Sequence, residues 1–123
     1  LRAPILMLRT VTEPGTVGYG GTAKVKKGAR IATVPAGYAD GILRQLSNKG
    51  EAVVAGKKVP YLGRVSMDLI TLDVSEIPEK MLENAPYAEL LGPDYDVNAM
   101  ARDAGTIGYE ILTRLGSRFH RIY

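Results

Sequence analysis

The stretch EAVVAGKKVPY, residues 51–61, decides the fold class of this chain. Glu51 to Val54 and Lys58 to Tyr61 are strand-forming segments, and Ala55-Gly56 between them reads as a tight hairpin turn, because glycine tolerates the backbone angles such turns demand. Downstream, Leu62 to Ser66 and Leu69 to Val74 continue the strand texture across an interruption at Met67-Asp68, and Ala88 to Leu91 adds a strand before Gly92-Pro93. Upstream, Arg30 to Val34 is a mostly apolar strand ending at Pro35, and Thr22 to Lys26 alternates small or apolar residues with Lys. Ile5 to Val11 runs as a first strand to Glu13-Pro14-Gly15, where Pro fixes φ and Gly supplies a turn.

Helical signals occupy three places. Gly41 to Leu46 allows one or two turns. Asp96 is placed to cap Val97 to Ala104, with Gly105 as the stop. Thr106 is placed to cap Ile107 to Leu115, where Ile107, Ile111, Leu112 and Leu115 share one face and Gly116 ends the run. The expected fold is mainly β, a small barrel or sandwich of about seven to eight short strands with two or three short helices, forming a single domain over residues 1–123.

Composition narrows the chemistry. The 123 residues include 16 Lys and Arg, 13 Asp and Glu, one His and no Cys. A disulfide scaffold, a Cys-ligated zinc and a thiol nucleophile are therefore excluded, and His120 alone cannot build an imidazole cluster for a metal. No apolar run approaches the ~20 residues of a spanning helix, and Leu1 to Arg9 lacks the shape of a signal peptide, so a cytoplasmic protein is expected. The chain opens on Leu1 rather than Met, as a piece of a longer protein does. Charge is uneven. Residues 1–67 carry 11 basic against 3 acidic side chains, residues 68–96 carry 1 against 8, and residues 97–123 carry 4 against 2. Such blocks usually interleave on folding, and the short Lys24, Lys26, Lys27 cluster without aromatics is a poor nucleic-acid footprint.

Several motifs fail on physical grounds. Gly18-Tyr19-Gly20-Gly21-Thr22-Ala23 has loose dinucleotide-binding spacing, but that fingerprint needs a helix after it, and an alternating strand follows. Asp94, Asp96 and Asn98 begin like a calcium loop, yet Ala99 and Gly105 stand where the turn Gly and the bidentate Glu belong.

What remains is a set of three Tyr in Gly-rich or small-residue settings: Gly18-Tyr19-Gly20-Gly21-Thr22, Gly37-Tyr38-Ala39-Asp40-Gly41, and Gly105-Thr106-Ile107-Gly108-Tyr109-Glu110. Small neighbours let the backbone approach a ligand and leave the phenol as the reachable polar group. Together with Leu46-Ser47-Asn48-Lys49-Gly50, Gly63-Arg64-Val65-Ser66-Met67-Asp68 and the closing Arg118 to Tyr123, these motifs, in their order along the chain, resemble the C-terminal β domain of alanine racemases.

The resemblance implies a bacterial pyridoxal-phosphate enzyme that interconverts L- and D-alanine for cell-wall precursor supply. It also implies an N-terminal α/β barrel that carries the cofactor on a Lys, and a head-to-tail homodimer. By the same resemblance, Tyr19 is the second base of a two-base racemisation, offered to the partner subunit's site. Met67 presents its backbone amide to the substrate carboxylate. Tyr38 lines the narrow inner entry and Arg64 stands further out in it. Tyr109 narrows the entry and hydrogen-bonds the cofactor phosphate of its own subunit. Ala23 departs from the family, where many members have a second Tyr. Asp40, Arg44, Asp68 and Glu110 read better as turn or salt-bridge residues. None of this chain's own Lys reads as the cofactor Lys, so the isolated chain is expected to be inactive, with its partners the barrel domains and a small amino acid, and neither nucleic acid nor membrane. The competing readings are a racemase of serine or of broader specificity, a β-barrel module for anions or nucleic acid, and a dimerisation surface.

Overall fold

The computed structural model describes residues 1–17, 23–117 and 119. Among them are nine short strands and three helices. In chain order these are β1 (Arg2–Pro4), β2 (Met7–Thr10), β3 (Gly15–Val17), β4 (Ala23–Val25), β5 (Arg30–Val34), β6 (Glu51–Val54), β7 (Lys57–Pro60) and β8 (Ile70–Asp73). Then follow α1 (Glu79–Glu83), β9 (Tyr87–Glu89), α2 (Val97–Ala104) and α3 (Gly108–Arg114).

The hairpin at residues 51–61 forms as the sequence suggests. β6 and β7 pair antiparallel from Glu51 opposite Pro60 to Val54 opposite Lys57. Ala55 and Gly56 both take positive φ, at 53° and 78°, the geometry that lets a two-residue turn follow the twist of its strands. This hairpin sits in a four-stranded sheet of order β1-β9-β6-β7, beside a three-stranded sheet of order β2-β5-β8 and a separate β3-β4 pair.

The two larger sheets join along both sides. On one side the chain itself crosses over: Ile5 N–H donates to Pro86 O and Leu6 N–H to Thr33 O, each at 2.9 Å, so β1 pairs with β9 and its continuation β2 pairs with β5. On the other, Tyr61 bridges to Leu72 and Leu62 N–H donates to Thr71 O at 2.7 Å. The result is a small barrel whose interior is filled by Ala32, Val34, Val54, Ile70, Leu72 and Leu90, all essentially inaccessible. Pro4 and Pro60 both lie on edge strands of their sheet, where a missing N–H costs no ladder bond.

Several expectations are corrected. Leu62 to Ser66 is not a strand: after Leu62, whose N–H still reaches Thr71 O, side chains take the N–H groups of Gly63 and Val65 in place of a ladder. Gly63 N–H donates to Asn48 Oδ1 at 2.7 Å and Val65 N–H to Ser47 Oγ at 2.8 Å. β1, β3 and α1 were not anticipated: the first two are three-residue strands too short to show alternation, and α1 buries only Leu82. The helical reading at Gly41 to Leu46 resolves into a single 3-10 turn, Arg44–Leu46, and a second 3-10 turn, Tyr38–Asp40, precedes it. The last strand is Tyr87–Glu89 rather than Ala88 to Leu91.

α2 begins and ends where the sequence places it. Asp96 accepts from Ala99 N–H at 2.8 Å, and Gly105 takes φ 73° to close the C-terminus. Thr106, however, does not cap α3: its N–H donates to Ala101 O at 2.8 Å as part of the end of α2, and Ile107 takes the cap position with no side-chain cap bond. α3 starts at Gly108. Of its expected apolar face, Ile111 is buried, whereas Ile107 and Leu112 are exposed.

Candidate functional site

Two turns build the site. The first, Gly37 to Gly41, is tied to itself by the buried Asp40, whose Oδ2 accepts the Gly37 N–H at 3.1 Å. Gly41 follows in the left-handed conformation at φ 96°. The second, Ser66 to Leu69, interrupts the strand texture at Met67-Asp68, as the sequence suggests.

The turns lock together through backbone. Tyr38 N–H donates to Ser66 O and Ala39 N–H to Met67 O, each at 3.0 Å. Gly37 makes this possible: a Cβ there would occupy the same space as the Ser66 and Met67 carbonyls, so only hydrogen fits. On its other side the first turn holds the end of α3, with Gly116 N–H donating to Asp40 O at 2.9 Å and the Arg114 carbonyl packed where a Cβ on Gly41 would stand.

Between the turns lies an open cleft of about 400 Å³ lined by Tyr38, Arg44, Val65, Ser66, Met67, Asp68 and Leu69. Tyr38 is 46% exposed and Met67 52%. The Arg44 guanidinium stands 5.8 Å from the centre of the Tyr38 ring, a cation–π contact that orients the phenol. The Met67 carbonyl is taken by Ala39, while no hydrogen bond among the described residues engages the Met67 N–H. An open amide beside a phenol and a guanidinium suits a small anionic group such as a carboxylate.

Tyr38 and Met67, chosen from sequence, thus share one cleft. Arg64 is exposed on the segment that leads into it but does not line it. Tyr109 projects from α3 at 79% exposure, also outside the cleft, with Leu112 one turn on along the same face. Tyr19 and the rest of residues 18–22 lie outside the described residues, as does most of the closing segment after Ser117. Asp40 acts as a turn residue, its carboxylate closing the Gly37 to Gly41 turn. Arg44 is the lining residue that sequence reasoning underrated. Its signal was its place one short turn beyond the Gly-Tyr-Ala-Asp-Gly motif, which alone does not aim the side chain back at Tyr38.

The basic first half interleaves with the acidic segment. Lys57 and Lys58 share a cleft with Asp73 and Glu76, and Arg9 and Arg30 share another with Glu79 and Glu83. No group of three or more His, Cys, Asp or Glu among the described residues could hold a metal ion. No helix among them is long and apolar enough to cross a membrane.

Comparison with known proteins gives a consistent result. Residues 1–123 match the family described as alanine racemase, C-terminal domain. The chain is 49% identical over its whole length to the alanine racemase of Rhodospirillum rubrum, covering 33% of that protein, and 50% identical to that of Brucella ovis, covering 31%. Among solved structures, it superposes on alanine racemase from Bartonella henselae with covalently bound pyridoxal phosphate at a TM-score of 0.91 and 38% identity. That match covers 99% of this chain and 34% of the other. The biosynthetic alanine racemase of Pseudomonas aeruginosa matches at a TM-score of 0.88 and 39% identity, over 100% of this chain and 34% of that one. The chain spans about a third of the length of these relatives.

Proposed function

This chain belongs to the alanine racemase C-terminal domain family, and on that premise we propose that its 123 residues are the single C-terminal domain of a pyridoxal-phosphate-dependent enzyme that interconverts L- and D-alanine. The observation that carries the proposal is the cleft in which Tyr38, Met67 and Arg44 converge, because it is half of a site: it offers groups to bind and orient a small carboxylate but no amine to carry a cofactor. Among the described Lys, Lys57 and Lys58 lie beside carboxylates in a different cleft. The residues present fit a cofactor's periphery instead. The exposed Tyr109 phenol has no hydrogen-bond partner among the described residues and suits a phosphate oxygen.

Racemisation takes the α-hydrogen from one face of the substrate and returns one to the other, so two proton-transfer groups must flank it. Pyridoxal phosphate, when bound, supplies the electron sink that makes the α-hydrogen acidic enough to move. In this reading the cofactor-bearing Lys of an N-terminal barrel is one base, and the Tyr19 phenol oxygen holds the proton on the other face, in the site of a partner subunit. The Met67 N–H holds the substrate carboxylate. Tyr38, with Arg44 over its ring, narrows the approach, and Arg64 stands outside it. The exposed Ile107, Tyr109 and Leu112 give α3 an apolar outer surface suited to a neighbouring domain. Such an enzyme works in the cytoplasm, where precursors of the bacterial cell wall are made.

The test is reconstitution. The full-length protein loaded with pyridoxal phosphate is expected to racemise alanine, and the 123-residue chain alone to do neither this nor retain the cofactor through gel filtration. Retention of the cofactor by the isolated chain, fixed to one Lys by borohydride, contradicts the division of labour. Salt-dependent retention on DNA by a full-length protein without racemase activity favours the anion-binding alternative.

A further inference from the structure

The Ser66–Leu69 turn is closed in an unusual way. In an ordinary four-residue turn the first carbonyl accepts the N–H of the fourth residue. Here the Ser66 carbonyl is already given to the Tyr38 N–H at 3.0 Å, through the close approach that Gly37 allows. The Ser66 hydroxyl takes over the missing role. Its Oγ accepts the Leu69 N–H at 2.9 Å and donates to the Leu69 carbonyl at 3.0 Å, which also receives the Ser66 N–H at 3.1 Å. Both ends of the turn are therefore pinned, and Met67 and Asp68 form its tip. The Met67 carbonyl is held by Ala39, so the orientation of the peptide that follows it and of the one that precedes it depends on these few bonds.

From this geometry we infer that Ser66 is a positioning residue: its hydroxyl replaces the carbonyl spent on Tyr38 and thereby holds the Met67 N–H ready for the substrate carboxylate. The inference rests on the role proposed above for Met67. The hydroxyl serves both ends of the turn at once, accepting the Leu69 N–H and adding a second donor to the Leu69 carbonyl. The support extends one layer further back. Ser47 Oγ donates to Arg44 O at 2.6 Å and accepts the Val65 N–H at 2.8 Å, so the backbone entering Ser66 is fixed to the segment that carries Arg44.

Ser66 and Leu69 make these bonds at the surface, so Ser66→Ala leaves the core untouched and water can solvate the released Leu69 N–H. The experiment uses the full-length holoenzyme with alanine as substrate and propionate as a carboxylate probe lacking the amino group. A contact that holds substrate and transition state alike is read in KM rather than kcat, so Ser66→Ala is expected to raise KM for both enantiomers about tenfold while kcat stays within about twofold. The propionate inhibition constant should rise by a similar factor, with the cofactor absorbance unchanged. Ser66→Thr, which keeps the hydroxyl, should bring KM back to within about threefold of the unsubstituted enzyme.

An unchanged KM and propionate constant in Ser66→Ala overturns the inference while leaving the racemase reading intact. So does a Ser66→Thr enzyme as impaired as Ser66→Ala, or a fall in kcat together with loss of cofactor, since each marks a structural role unrelated to the amide. An unsubstituted holoenzyme that does not racemise alanine overturns both.

Discussion

Four tyrosines divide this molecule into two regions. Tyr38 and Tyr109 stand at the site end, 46% and 79% exposed, each beside glycines. Tyr61 and Tyr95 stand in the body of the barrel, 3% and 2% exposed. Burial pushes the Tyr61 phenol well above its ordinary pKa, and burial together with the hydroxyl's 2.6 Å bond to Asp103 Oδ2 does the same for Tyr95. The same side chain is thus a reachable polar group in one region and a locked, protonated hydrophobe in the other. What separates them is backbone. The turn after Gly37 carries the Tyr38 ring, and the outer face of α3 the Tyr109 ring, to the surface, whereas Tyr61 and Tyr95 pack into the closed core. Gly50 belongs to the second case, lying against the face of Tyr61 where a Cβ would press on the ring at 2.7 Å.

The comparison can be broken most severely at the site end. Tyr19→Phe in the full-length enzyme is expected to lower kcat/KM by about 10²–10⁴ in both directions, since the equilibrium constant ties them. Exchange of the α-hydrogen with deuterated solvent should survive for only one enantiomer, the one served by the remaining base. Retained exchange for both, with unchanged rates, removes Tyr19 from the mechanism.

Gly37→Ala comes next, because it forces the two site turns apart without touching the barrel tyrosines. Overpacking against the Ser66 and Met67 carbonyls should cost about 3 kcal/mol in denaturant unfolding. It should also raise KM more than Ser66→Ala does.

In the barrel, Tyr95→Phe removes the bond to Asp103 and leaves that carboxylate short of a donor, which should cost about 1–2 kcal/mol with kcat/KM unchanged. Tyr61→Phe should cost nothing or stabilise by up to about 1 kcal/mol, because the Tyr61 hydroxyl is buried with no partner among the described residues. Equal losses for the two variants would erase the distinction drawn between them.

Alkaline titration sharpens the contrast. The unfolded chain releases its phenol protons near the ordinary value of 10.0, but the folded chain must keep Tyr61 and Tyr95 protonated beyond it. The unfolded state therefore binds fewer protons above that pH. The stability contribution of both groups is complete below about pH 10 and falls as pH rises further. Phenolate absorbance from Tyr61 and Tyr95 should therefore appear only as the chain unfolds.

Much of this fold is legible locally. β5 and β6 fall on the residues their composition indicates, the Ala55-Gly56 turn adopts the angles its residues favour, and α2 starts on the Asp96 cap and stops at Gly105. These elements are decided by neighbours within a few positions, so one-dimensional reading suffices. Thr106 shows the limit. It has a cap residue's chemistry, but the close of α2, where its N–H meets Ala101 O, sets its place, and α3 begins one residue later with Ile107 in the cap position. The Leu62 to Ser66 segment has strand composition and no strand, because beyond Leu62 the Asn48 and Ser47 side chains take the Gly63 and Val65 N–H groups.

By itself, then, the sequence determined the fold class, the family and the residue types available for chemistry: phenols, an open amide and guanidinium groups, with no thiol and a single imidazole. Tertiary structure alone decided which of these meet. Tyr38, Arg44 and Met67 converge because Gly37 lets two distant turns share backbone hydrogen bonds, and Ser66 gains its role only because its carbonyl is spent in that contact. Such pairings depend on excluded volume and hydrogen-bond competition between segments far apart in the chain, which no local pattern records.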